Sequence, residues 1–208
     1  MVGDGMKALH KDFWMEIRKS KARFISIFLI VALGVAFFSG IQASSPDMRY
    51  SGDAYYEAAK LMDLKIQGTL GLTQRDVKAV SDIDGVELAE GGYSTDVMSG
   101  EDDARKVLHL ESISSNFNLL TADEGRIPEK SGEIFLDKPF AKNRGYKIGD
   151  TISVSEDGDS ELLKKTTYTV VGIGSSPLYI SFNRGNTTLG SGEVSGFGYI
   201  LPEDFDQE

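Results

Sequence analysis

Residues 24–43 read FISIFLIVALGVAFFSGIQA, twenty positions without a charged side chain. At 1.5 Å per residue, a helix of that length matches a hydrocarbon core of about 30 Å. In lipid, a helix satisfies its own backbone polar groups, so the run reads as a membrane-spanning helix. Two rival readings fit the residues less well. A core helix that is apolar all round needs a large domain about it, and the roughly 165 residues that follow are too few and too acidic. A cleaved signal peptide has an apolar run of about 7–15 residues and a small-residue cleavage site. Here the run is longer, a long basic segment precedes it, and Ile41-Gln42-Ala43 fits such a site poorly, so an uncleaved anchor is expected.

Charge is divided sharply about this run. Residues 1–23 carry a net +3, from Lys7, Lys11, Arg18, Lys19, Lys21 and Arg23 against Asp4, Asp12 and Glu16, and the remainder carries −13. Basic residues crowded at one end of a span place that end in the cytoplasm and the acidic domain outside. A chain with net charge −10 repels a phosphate backbone, which argues against nucleic acid as a partner. Within 1–23, Leu9, Phe13 and Ile17 recur at helical spacing with Trp14 beside them and basic residues opposite. This is the pattern of an amphipathic helix lying at the lipid headgroups, with a docking surface for a cytoplasmic partner as the alternative. Met6 is a plausible start residue, which leaves 1–5 as an extension.

Beyond the span, 44–60 is polar, Ser/Asp-rich and contains Pro46, as suits an extracellular stem. Leu64 and Ile66 alternate with polar neighbours, predicting a strand that Gly68 to Gly71 break. Thr73 and Asp76 form a capping-box pattern before the stripe Val77, Val80 and Ile83, and Gly85 stands where the helix should stop. Val86 and Leu88 have one parity, Tyr93, Thr95 and Val97 the other, so a β-bulge or a turn is expected at Gly91-Gly92. Strand, helix and strand in this order suggest a right-handed crossover if the strands are parallel neighbours. A further strand is expected at 106–112.

From about Asn118 the character becomes mostly β. Strands are predicted at 133–136, 151–154, 167–173 and 197–201, with a short helix at 139–144 stopped by Gly145 and a hairpin tip at 156–160.

No constellation for chemistry emerges. There is no cysteine, hence no disulfide, thiolate site or cysteine nucleophile, and His10 and His109 have no HExxH spacing and no evident Ser and acidic partner. The acidic tip Glu156-Asp157-Gly158-Asp159 lacks calcium-loop spacing, and Asp82-Ile83-Asp84-Gly85 reads as a helix end. No P-loop and no GxSxG elbow occur. Gly172-Ile173-Gly174 is half a dinucleotide fingerprint but lies after rather than before any helix, and Asn186-Thr187-Thr188 is a formal glycosylation sequon. No catalytic, cofactor-binding or metal-ligating residue is assigned.

The run from Arg23 to Ile41 with Ser45-Pro46-Asp47-Met48 resembles the first membrane helix of bacterial ABC-transporter permeases of the MacB/FtsX type, the Gram-positive branch in particular. Leu70-Gly71-Leu72-Thr73, Ile83-Asp84-Gly85-Val86, Gly125-Arg126-Ile127-Pro128, Gly145-Tyr146-Lys147-Ile148-Gly149-Asp150, Thr169-Val170-Val171-Gly172-Ile173 and Gly196-Phe197-Gly198-Tyr199-Ile200 fall in family order. The resemblance implies an α+β chain: a cytoplasmic amphipathic helix at 1–23, the span at 24–43 and a stem at 44–60. A MacB-like extracytoplasmic domain follows, with a porter-like βαβ part at 61–117 and a mostly β part at 118–208.

It further implies a non-enzymatic permease subunit without a cofactor. Its partners would be an ABC ATPase subunit, another permease subunit or second half, the bilayer, and an extracytoplasmic peptide, lipoprotein or protein. Movement driven by ATP would serve export or mechanotransmission. The family continues into further membrane helices, so this chain is expected to be a fragment, with the edge of its porter-like sheet exposed. A single-span anchored extracellular binding module is the alternative.

Overall fold

In a computed structural model, residues 3–100, 105–156, 162–181 and 183–206 are described, the first seven of these by backbone alone. The predicted hairpin tip at 156–160 lies almost wholly outside them. The chain divides into two units, Met1–Tyr55 and Tyr56–Glu208.

The first unit is helical. Helix α1 spans Gly3–Lys19, and α2, spanning Lys21–Ala58, carries the apolar run and is long and apolar enough to cross a bilayer. None of its residues is buried by other parts of the protein. The polar passage after the span is itself helical: α2 continues through Pro46 to Ala58. Proline removes one donor from the ladder, and nearby the Ser44 hydroxyl donates to the Gly40 carbonyl at 2.8 Å.

In the second unit, α3 spans Gln74–Ser81, and the Asp76 carboxylate accepts from the Thr73 amide at 2.8 Å and its hydroxyl at 2.7 Å, as the capping pattern predicts. Gly85 takes a left-handed φ of 89° in the turn beyond it. The strand expected before α3 does not form, and of the strand pattern expected after it only the later part, Ser94–Ser99, does. Residues 64–67 and 86–88 find no ladder partner, Gly91-Gly92 holds no bulge, and Leu64 and Leu88 remain 84% and 47% exposed. An alternating pattern marks a face suited to burial, but a strand exists only when a neighbour takes up its backbone groups.

Seven strands follow: β1 Ser94–Ser99, β2 Lys106–Ser112, β3 Thr121–Gly125, β4 Glu133–Asp137, β5 Thr151–Ser155, β6 Thr167–Ser175 and β7 Gly196–Ile200, with α4 Lys138–Arg144 after β4. Their order is β3-β6-β4-β7-β2-β1-β5, and β5 also pairs with β6, so six strands close upon themselves with β3 beside β6. The pairs β2–β7 and β4–β6 are parallel and the others antiparallel. The predicted short helix is α4, capped by the Asp137 carboxylate and ended by Gly145 at φ 77°.

Alternation sorts these side chains into two clusters. Val97, Leu108, Leu110, Ile134, Leu136, Ile152, Tyr168, Val170 and Ile200 form the main core with Phe140 of α4. The opposite parity gives Phe135, Phe197 and Tyr199 a second cluster with Val194. Gly172-Ile173-Gly174 has a packing role here. A Cβ at Gly172 or Gly174 would collide with the Phe135 ring and with the backbone of a neighbouring segment, so both glycines admit a close approach.

Candidate functional site

The site begins where α2 ends. Lys60 takes the left-handed φ of 49°, the Lys60 amide donates to the Glu57 carbonyl at 3.1 Å, and the Leu61 amide donates to Tyr56 at 3.0 Å. These bonds form a Schellman closure with lysine where glycine is usual. The chain is then clasped by a loop from the far side of β2. Asn118 and Leu119 donate their amides to the carbonyls of Lys60 and Ala59 at 2.9 and 2.8 Å. The Asn118 side-chain oxygen accepts from the Met62 amide at 3.1 Å. Asn118 itself has φ 51°, a conformation its short polar side chain tolerates.

Three residues further, Lys65 reaches the β2 carboxylate Glu111 at 3.0 Å. Glu111 also accepts from the Tyr179 hydroxyl at 2.8 Å and faces His109 Nε2 across 3.7 Å, an ion-pair separation too long for a hydrogen bond. The other ring nitrogen of His109 meets Asp96 at 2.6 Å. Tyr179 stacks on Phe197 at 3.6 Å, and Arg184 lies over the other end of this aromatic pair while pairing with Asp137 at 2.5 Å. Asp137 in turn accepts from the Phe197 amide at 2.8 Å. The network therefore ties the segment after α2, the hairpin β1–β2, and the loop before β7 to one another.

Its electrostatics follow from burial opposed by partners. Burial alone would raise the Glu111 pKa, but His109, Lys65 and Tyr179 together hold it near 2. For His109, burial favours the neutral ring, yet the Glu111 and Asp96 carboxylates outweigh it and raise the pKa above the ordinary value. Burial, reinforced by the Glu111 charge, raises that of Tyr179, keeping its hydroxyl a donor.

Beside the network lies an open cleft of about 180 Å³, bordered by Ile66, Gly91, Glu111, Phe117 and Tyr199. Among the described residues, no group of three or more His, Asp or Glu could hold a metal, and the one hydrogen bond of the His109 ring goes to Asp96.

The sequence reading found no acidic partner for His109; the structure supplies two. Asp96 lies directly across the antiparallel register from His109, and Glu111 is two residues along on the same face. The period-2 rule applied to β1 and β2 as a hairpin would have revealed both. Lys65 and Tyr179 come from irregular segments and carried no such signal.

Comparison with curated sequences gives no match. Among solved structures, the chain is similar to the extracellular domain of the noncanonical ABC-type transporter YknZ from Gram-positive bacteria, with 13% identity, a TM-score of 0.41 and 64% of each chain covered. It is also similar to the periplasmic region of MacB from Actinobacillus actinomycetemcomitans, with 13% identity, a TM-score of 0.36, and 65% of this chain and 56% of that one covered. The chain thus spans less than two thirds of the length of either relative. The model of the MacB-like periplasmic core domain matches residues 24–203, taking in both the apolar helix and every strand of the closed sheet. The chain belongs to the family of MacB-like periplasmic core domains.

Proposed function

We propose that this chain is a permease subunit of an ABC transporter that catalyses no reaction itself and passes movement driven by a partner ATPase to an extracytoplasmic domain, for export or mechanotransmission. The observation that carries the proposal is the joint after α2. The Schellman closure at Lys60, the Asn118 clasp and the Lys65–Glu111 ion pair hold the emerging chain at several points within a few residues. A passive tether needs none of these bonds, whereas a lever must be fixed at its end.

In this reading, 1–23 lies on the cytoplasmic side, 24–43 crosses the bilayer, and 44–60 leads outward to the domain formed by the rest of the chain. The charge division about the span supports that orientation. The ABC-type description of YknZ supports an ATPase partner, with a second permease subunit or half beside it.

The test uses the full-length membrane protein with its copurified ATPase in lipid nanodiscs. Hydrogen exchange at the amides of Met62, Asn118 and Leu119 should differ between ATP-bound and nucleotide-free states. Failure of any ATPase to copurify, or exchange independent of nucleotide, refutes the proposal. The open cleft beside Glu111 favours a second reading, an anchored extracellular binding module. That reading predicts an external ligand that protects the cleft without ATP.

A further inference from the structure

We infer that α1 is an interfacial helix that lies on the anionic headgroups of the bilayer crossed by α2. The first observation is the break between the helices. The Ser20 amide donates to Glu16 and the Phe24 amide to Ser20, each at 3.0 Å, so one turn of bonding persists on either side. At Ser20 itself the helix is interrupted, and the bonds that would join Lys21 to Ile17 and Arg23 to Lys19 are missing among the described backbone groups. Freed amides and carbonyls are very costly in hydrocarbon, where no water can replace their partners. They are satisfied among headgroups and interfacial water. The break therefore fixes the edge of the bilayer near Ser20, and α1 leaves the span in the polar layer.

The second observation is the distribution of side chains around α1. Phe13 and Ile17 stand one turn apart on one face, and Lys11 and Arg18, seven residues apart, share another. Trp14 falls between these two faces. Phe13 and Trp14 are 59% and 63% exposed, so nothing in their own unit covers them among the described residues. Aromatic residues at a boundary between apolar and cationic faces match the headgroup level, where the ring meets acyl chains and its N–H remains hydrated.

The third is charge. Lys11, Arg18 and Lys19 on α1 are joined at once by Lys21 and Arg23 at the start of α2, against Asp12 and Glu16 alone in 10–23. Each basic side chain near an anionic leaflet adds attraction, and the cluster is continuous with the end of the span. A zwitterionic surface offers the apolar face a place but gives these cations nothing extra. The committed ligand is thus the anionic lipid headgroup.

Trp14 is the one tryptophan of the chain, which makes the test direct. The full chain is reconstituted in vesicles of phosphatidylcholine alone and of phosphatidylcholine with phosphatidylglycerol. In the anionic vesicles Trp14 emission should shift to the blue, acrylamide quenching should fall severalfold, and lipids brominated near the headgroup should quench more than lipids brominated at the chain ends. In phosphatidylcholine alone the protection should be largely lost. The combined variant Lys11→Ser, Arg18→Ser and Lys19→Ser should lose it in anionic vesicles while far-ultraviolet circular dichroism stays unchanged.

Three outcomes overturn the inference. One is full acrylamide access to Trp14 in anionic vesicles. Another is equal protection in both lipids, which leaves apolar insertion without anionic recognition. The third is protection that arises only when an ATPase is added, which assigns the helix to a protein partner. The wild-type comparison between lipids decides the question even if the variant fails to fold.

Discussion

Replacing Glu111 by Gln tests whether the charged network holds the joint. The side chain of Glu111 is 10% exposed and accepts from Lys65 at 3.0 Å and Tyr179 at 2.8 Å, with His109 at 3.7 Å. A glutamine keeps the bond to the tyrosine hydroxyl but removes the charge that Lys65 and His109 face. The folded pKa near 2, against an ordinary 4.5, bounds the stabilisation of the charged form at about 3 kcal/mol. Lys65, at 39% exposed, regains water in the variant, so a net loss of about 2 kcal/mol is expected at neutral pH. The wild type should hold the Glu111 contribution fully above pH 4.5 and lose it as pH falls toward 2, because this pKa is lowered by folding. His109 has the opposite sign. Its contribution is full below its ordinary 6.5 and is lost as pH rises through the higher folded value, so the network is strongest between these limits. The assay is urea denaturation of the full chain in detergent, followed by the near-ultraviolet dichroism of buried tyrosines. Tryptophan is blind to this part of the protein, since Trp14 lies in α1. A double-mutant cycle with Lys65→Met isolates the pair. A variant within 0.5 kcal/mol of wild type, which is about the scatter expected for a neutral surface substitution, with an unchanged pH profile, refutes the reasoning.

Substitutions at three further positions probe the joint and the closed sheet with the same denaturation assay. Asn118→Ala should cost about 2 kcal/mol, because it loses the Met62 bond and the short polar side chain that makes φ 51° tolerable; Asn118→Gly should recover about half, since glycine accepts that φ. Equal losses in the two variants would show that backbone conformation plays no part. Gly198→Ala should cost about 1–3 kcal/mol, as the new methyl would lie 2.8 Å from Leu110 and 3.0 Å from Ile134 in the main core. Tyr168→Phe should be neutral or stabilise by about 1 kcal/mol, because the buried hydroxyl has no hydrogen-bond partner in the described residues, and a clear loss of stability would reveal a partner.

The elements most legible in the sequence were those whose determinants are local. Asp137 and Gly145 bracket α4 because each end of a short helix carries its own chemical signal, and the β-branched run Thr167 to Val171 forms the start of β6. The span was equally plain, since twenty uncharged positions leave a helix few alternatives. The extent of α2 was not, because a polar, Ser/Asp-rich passage containing Pro46 reads as a stem; within a long helix the proline deletes one bond among many. Leu64, Ile66 and Leu88 show the reverse error. Their alternation was real, but pairing depends on a second segment, and local pattern carries no record of it.

The joint was hidden for a related reason. Glu111 draws its partners from residues 46 positions before it and 68 after it, and neither Lys65 nor Tyr179 lies in a regular element. Only the closing of the sheet brings them together: β7 must lie parallel to β2 for Phe197 to stand opposite His109 and offer its ring to Tyr179. The glycines of β7 take part in this closing, since Gly198 leaves room on one face for Leu108, Leu110 and Ile134 while Phe197 and Tyr199 occupy the other. Close packing inside the sheet and a charged network outside it are thus two consequences of one strand pairing. A substitution that swells the inner face, as Gly198→Ala does, should therefore also weaken the bond between Tyr179 and Glu111 across the sheet. Comparing the Glu111→Gln loss in the presence and absence of Gly198→Ala measures that link: a smaller loss in the swollen background supports it, and strict additivity would show that the two faces are independent.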